Sequence, residues 1–179
     1  YQQESIYLID QWCNMYEKKI QELGGIGFFL GGIGPDGHIA FNVRGSDHNS
    51  TTRLTQTNFE TQAAAAVDLG GIEISRNRLV ITIGLGSITY NKNATAIIIA
   101  AGEAKAPIVQ KSIESKQDIM YPASSLQKIS NSRFYITEGA AKNLKDVKDS
   151  YWFEPRWNIR KKQKALSLIH ISEPTRPLE

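Results

Sequence analysis

Short apolar runs set between longer amphipathic ones constrain this chain more than any other feature. "IGFFL" (26–30), "RLVITIG" (78–84) and "ATAIIIAAG" (94–102) are brief and almost wholly apolar, and the last two are rich in β-branched residues. Such runs suit strands covered on both faces of a sheet. "SRFYIT" (132–137) reads as a further strand. Between them the period changes. Residues 4–23 place Ile6, Ile9, Trp12, Cys13, Tyr16, Ile20 and Leu23 at three- and four-residue steps, a helix that Gly24-Gly25 stops. "NFETQAAAAVDL", "EAKAPIVQKSIESK" (103–116) and "EGAAKNL" read as helices, and "YPASSLQKI" as a short one opened by Pro122. Pro107 is tolerable only in a first turn. Strands alternating with helices predict an α/β fold: an open, largely parallel, Rossmann-like sheet flanked by helices. A helix precedes the first strand, so the expectation is a domain that lacks its N-terminal strands.

Composition narrows the class. The 179 residues are 41% hydrophobic and 22% charged, an ordinary globular profile with room for one core. No run approaches the roughly 18 apolar residues of a membrane span, and "YQQESIYLIDQW" lacks a signal-peptide layout. The single Cys13 excludes an internal disulfide and any multi-cysteine metal site. It falls on an apolar helix face, as a buried, inert thiol does. A cytoplasmic location is the default expectation. Residues 1–151 hold 15 basic and 15 acidic residues, so the net +3 resides in the six basic and three acidic residues of 152–179. A neutral body argues against a nucleic-acid surface.

The expected division is therefore a body over 1–150, a basic, aromatic segment over 151–165 ("YWFEPRWNIRKKQKA") and a terminal stretch over 166–179. The segment "LSLIHISEPTR" (166–176) resembles the in-frame translation of a sequencing-library adapter. The terminal stretch is read as an artefact of that origin or a disordered tail, and His170 within it gets no functional weight.

"FFLGGIGPDGHIAFN" (28–42) carries the chemistry. Gly32, Gly34 and Gly37 spell G-x-G-x-x-G, the pattern of a dinucleotide-binding loop. That use requires a helix opening at the third glycine and a second strand ending in an acid about twenty residues on. Here "HIAFNVRGSD" follows the glycine, and "TQTNFE" stands where the strand would end. No cofactor is implied, and three widely spaced histidines do not make a metal site. A glycine-rich turn at the carboxyl end of a strand lets backbone approach a ligand. Within it, Asp36 and His38 pair a carboxylate with an imidazole, an arrangement suited to shuttling protons near neutral pH. His48, in the polar stretch "GSDHNSTTR", is expected to be solvated.

"GGIGPDGHIAFN" (31–42) resembles the signature loop of the glucosamine-6-phosphate deaminase family. The similarity continues through "STTRLT" (50–55), "VITIGLGSITY" (80–90) and "IIIAAGEAKA" (97–106), covering roughly residues 20 to 140. The related 6-phosphogluconolactonases share G-x-D-G-H, but "IAFN" favours the deaminase branch. The resemblance implies ring opening of an amino-sugar phosphate, proton movement between C2 and C1, and release of ammonia to leave fructose 6-phosphate. It implies that His38 serves ring opening and Asp36 assists it, that Gly32 contacts substrate through its backbone, and that Lys105 meets the substrate phosphate. A lysine at a helix start adds a point charge to a positive helix end.

The departures are specific. The family usually has a glutamate after "IAFN", where this chain has Val43, and Asp47 is the nearest acid in sequence. An arginine that usually grips phosphate falls at Val67, with Arg44 a candidate substitute. Arg53 matches part of an allosteric phosphate site whose next basic residue is here Thr55, so allostery is not expected. The family's upstream phosphate loop and its C2 base have no counterpart before Ile26, so this stretch looks like the C-terminal portion of the domain and is expected to turn over poorly. A lactonase-like hydrolase and a non-catalytic sugar-phosphate-binding module stay open as alternatives, as do a homo-oligomer and a fused C-terminal domain. The expected partner is a small sugar phosphate, with no nucleic acid and no membrane.

Overall fold

The computed structural model describes residues 2–64 and 79–145. In chain order they form α1 (Gln2–Glu22), β1 (Phe28–Gly32), β2 (Arg53–Gln56), α2 (Phe59–Ala64), β3 (Leu79–Thr82), α3 (Leu85–Thr89), β4 (Thr95–Ala100), α4 (Ala106–Glu114), β5 (Asn131–Ile136) and α5 (Glu138–Ala141). Two 3-10 stretches, Glu103–Lys105 and Pro122–Lys128, join them. The expected segments 151–165 and 166–179, and Val67, lie outside the described residues.

The sheet is parallel and runs β1-β4-β5, with Leu30 opposite Ile97 and Ile97 opposite Arg133. Strand residues alternate faces, and the two faces differ. Phe29, Ala96, Ile98, Ala100, Phe134 and Ile136 point into the core. They meet Ile108 and Val109 of α4, Leu85 and Ile88 of α3, and Ala123 and Leu126 of the second 3-10 stretch. The α/β class is therefore as expected, and Pro107 sits in the first turn of α4. On the opposite face Phe28, Leu30 and Ile99 are 58%, 57% and 56% exposed. The expectation of strands covered on both faces holds for one face only among the described residues.

Two further expectations need correction. The run 78–84 does not join the parallel sheet. Its β3 pairs antiparallel with β2, from Arg53 opposite Thr82 to Gln56 opposite Leu79, as a separate two-stranded ribbon. Its β-branched residues favour extended backbone but carry no information about which strand they pair with. The partner, "RLTQ", is not among the runs read as strands. In α1, Cys13 and Ile20 are buried as expected, but Ile6, Trp12, Tyr16 and Leu23 are exposed. Trp12 and Tyr16 stack on each other at 5.3 Å between ring centroids.

The third buried member of the α1 stripe is Glu17, 7% exposed. Its Oε2 accepts from Thr52 N at 3.2 Å, Thr52 Oγ1 at 3.0 Å and Ser87 Oγ at 2.6 Å. Burial opposes its charge, yet these hydrogen bonds hold its carboxyl below the usual carboxylate range. One carboxylate thus ties α1 to the start of the ribbon and to α3. Glu17→Ala strands these donors in a buried site, and is expected to cost at least about 2 kcal/mol. A urea melt of the variant would show the loss as a lower midpoint.

Because the strands are parallel, the carboxyl ends of β1 and β4 open on the same rim. The β1 exit leads into residues 33–42, and the β4 exit passes through Gly102 (φ 88) into Glu103–Lys105.

Candidate functional site

The β1 exit folds into a tight loop through its own backbone. Gly37 N donates to Gly34 O at 3.1 Å, and Gly34 N donates to His38 O at 2.9 Å. Gly37 has φ +85, a region that disfavours side chains, and a methyl group there would press on Ile108. Gly37 O in turn accepts from Ala123 N at 3.0 Å, which pins the loop to the core. Gly34 is required for another reason: a Cβ there would occupy the volume of the His38 ring. Of the motif's glycines, Gly34 therefore makes room for the imidazole and Gly37 lets the loop turn against Ile108.

His38 and Asp36 come together as the sequence predicts. His38 Nδ1 lies 2.5 Å from Asp36 Oδ1, and the His38 amide is 3.4 Å from the same oxygen. Asp36 is 1% exposed. Burial alone would raise its pKa. The hydrogen bonds from His38 and Asn58, together with the His38 charge, hold it well below the usual carboxylate range instead. An ionised Asp36 only accepts, so Nδ1 carries the proton of this bond, and in the neutral form of the ring Nε2 presents its lone pair. Nε2 has no partner among the described residues.

Two residues that the sequence did not single out complete the cluster. Asn58 Nδ2 donates to Asp36 Oδ2 at 2.6 Å, and Thr61 Oγ1 lies 3.2 Å from His38 Nδ1. Asn58 Oδ1 also accepts from Thr61 N at 3.0 Å, capping the first turn of α2. "TNFET" carries the capping signal. Its reach across to Asp36 leaves no local trace.

Lys105 joins the same rim. Its Nζ donates to Ile33 O at 2.8 Å, within the β1 exit. Burial pushes its pKa down, while the Asp36 carboxylate raises it in part. Gly32 is exposed at the end of β1, and a Cβ there would meet nothing closer than 3.9 Å, so packing does not demand a glycine.

Other candidates fall away from the cluster. Asp47 accepts from Asn49 N at 2.8 Å within its own loop, and no bond links it to His38. Arg44 is exposed, and it is its backbone amide that lies 3.5 Å from Asp36 Oδ2. Val43 is half-buried. Arg53 is spent on structure, donating to Asn42 Oδ1 at 2.9 Å and Ser46 Oγ at 3.3 Å. Asn42 donates to Ile39 O and Ile83 O, which braces the far end of the loop against the ribbon. His48, expected in solvent, is 8% exposed, and its Nε2 has no hydrogen-bond partner among the described residues. Burial and the Lys128 charge push its pKa down. No described helix is long and apolar enough to cross a membrane.

No protein-family model matches the chain. Individual proteins do. A glucosamine-6-phosphate isomerase of Candida albicans is 38% identical over 138 residues, covering 76% of this chain and 55% of the relative. Glucosamine-6-phosphate deaminase 2 of Homo sapiens is 35% identical over 84% of this chain and 53% of its own length. A glucosamine-6-phosphate deaminase of Phocaeicola vulgatus is 36% identical over 74% of this chain and 50% of its own. Among solved structures, a monomeric glucosamine-6-phosphate deaminase superposes with a TM-score of 0.67 at 30% identity, over 75% of this chain and 54% of the other. The chain spans about half the length of the relatives it matches.

Two outcomes test this geometry. Gly34→Ala is expected to push the imidazole off Asp36, seen as loss of the Nδ1–H tautomer in 15N spectra. The second concerns pH. A carboxyl whose folded pKa is depressed adds stability above its unfolded value, about 3.9, and that stability is lost as pH falls further. Asp36→Asn should therefore flatten the fall in stability below about pH 4, followed by chemical denaturation at a series of pH values.

Proposed function

We propose, from the premise that this chain belongs over about half of their length with the glucosamine-6-phosphate deaminases, that it carries the ring-opening and phosphate-holding part of an amino-sugar phosphate deaminase. The observation that carries this reading is the Asp36–His38 pair, with Nδ1 tied to a buried carboxylate and Nε2 without a partner among the described residues.

The chemistry follows from that tautomer. A cyclic sugar opens when the O1 proton leaves, the C1–O5 bond breaks and O5 gains a proton. His38 Nε2 takes the O1 proton, and the resulting imidazolium returns it to O5. Asp36 stabilises the transient cation through Nδ1–H, which favours the charged form without its own protonation. The open-chain aldehyde is then ready for proton transfer from C2 to C1, which leaves a C2 imine; water adds to that carbon and the amino group departs as ammonia, leaving fructose 6-phosphate. Lys105 supplies a cation for the phosphate. Its bond to Ile33 O holds it at the rim, and its partial burial makes it easier to desolvate on binding. Gly32, whose Cβ position is open, lets the ligand meet backbone. The names of the relatives favour this over lactone hydrolysis, since they are deaminases and isomerases.

Ring opening can be read apart from ammonia release. Anomers of glucosamine 6-phosphate exchange through the open chain, so saturation transfer between their C1 protons reports the step. The chain is expected to speed this exchange, and His38→Gln to abolish the gain. Lys105→Ala is expected to weaken binding by about tenfold, near 1.4 kcal/mol, in a calorimetric titration. Unchanged exchange in the presence of the protein, or binding indifferent to Lys105, would refute the proposal.

A further inference from the structure

The second oxygen of Asp36 is held by a side chain from a distant part of the sequence. Asp36 Oδ1 takes both the imidazole and the amide of His38. Oδ2 takes Asn58 Nδ2 at 2.6 Å and, among the described residues, otherwise only the Arg44 amide, at 3.5 Å. Asp36 is 1% exposed, so its oxygens depend on these protein donors and not on solvent. Val43, the residue after "IAFN", is apolar and offers nothing to either group.

We propose that Asn58 is a positioning residue for the Asp36–His38 pair, fixing the carboxylate so that its other oxygen keeps the imidazole aimed. The inference rests on His38 being the proton carrier proposed above. Three observations support it. The Asn58 amide can sit only one way round: reversed, its oxygen would face Asp36 Oδ2 and its NH2 would face Thr61 N–H. The same α2 turn also brings Thr61 Oγ1 to His38 Nδ1, so one helix start touches both members of the pair. Finally, a neutral amide supplies a donor and adds no second negative charge. The pair keeps a single carboxylate, and Asp36 needs no proton of its own to stay buried.

An alternative role for Asn58 is helix capping alone. Asn58→Asp separates the two, because aspartate caps a helix as well as asparagine does but, when ionised, has no proton to donate to Asp36. Two facing carboxylates would instead share a proton. The expected result in Asn58→Asp is a carboxyl titration midpoint for Asp36, followed by 13C NMR, that rises by at least about one pH unit. Thermal stability at a pH below that midpoint should be close to wild type. In the anomer-exchange assay kcat should fall about 10- to 100-fold with KM nearly unchanged, since Asn58 is argued to act through the pair and not on substrate. Asn58→Ala loses both cap and donor, so it should show the kinetic loss together with lower stability.

An Asp36 titration in Asn58→Asp that matches wild type overturns the inference, as does a normal kcat in the presence of measurable exchange. The two proposals fail differently. If the Asp36 midpoint moves while His38→Gln leaves anomer exchange untouched, the positioning stands and the sugar-phosphate reading falls.

Discussion

A carboxylate withdrawn from water beside an imidazole is the constraint around which the rim is organised. Asp36 can stay ionised in its buried position only because four donors surround it, from His38, Asn58 and the backbone of Arg44. Each donor comes with a structural demand. The imidazole lies where a Gly34 side chain would be, and the loop turns at Gly37 against Ile108. Asn58 must begin α2 at a fixed place. Two of the three glycines that spell a nucleotide-binding pattern, Gly34 and Gly37, serve in this fold to lodge an acid–imidazole pair at the end of a strand.

Around that pair, polar braces substitute for apolar packing at several joints. Glu17 ties α1 to Thr52 and Ser87, and Arg53 ties the ribbon to Asn42, which in turn holds Ile39 and Ile83. The two sets of hydrogen bonds meet at the Thr52–Arg53 backbone, and so run from the outer helix to the site loop. Buried polar groups of this kind stabilise little net when satisfied but are costly to leave unmatched. They fix one arrangement of loops that carry little regular structure.

The sequence disclosed what is local and withheld what is distant. Strands β1, β4 and β5 were legible from short apolar runs, and the Asp36–His38 pair from two residues two positions apart. Helix α4 was legible because Pro107 marks its start and Ile108 and Val109 its inward face. The ribbon was not, because "RLTQ" has neither the length nor the alternation of a buried strand. The exposed stripe of α1 also misled. Ile6, Trp12 and Tyr16 have the period of a core face, yet the helix turns Cys13, Glu17 and Ile20 inward, and a lone acid is not an obvious member of a buried stripe. Asn58 and Asp36 are 22 positions apart, and nothing in either neighbourhood announces the other.

The outer side of the parallel sheet has a bearing on how this molecule behaves as a solute. Phe28, Leu30 and Ile99 lie in adjoining strands with their side chains in water. Ordered water over such an oily plane raises free energy in proportion to its area, and that penalty disappears whenever anything greasy settles there. The stability of this chain therefore depends on what lies against that plane as well as on its internal contacts.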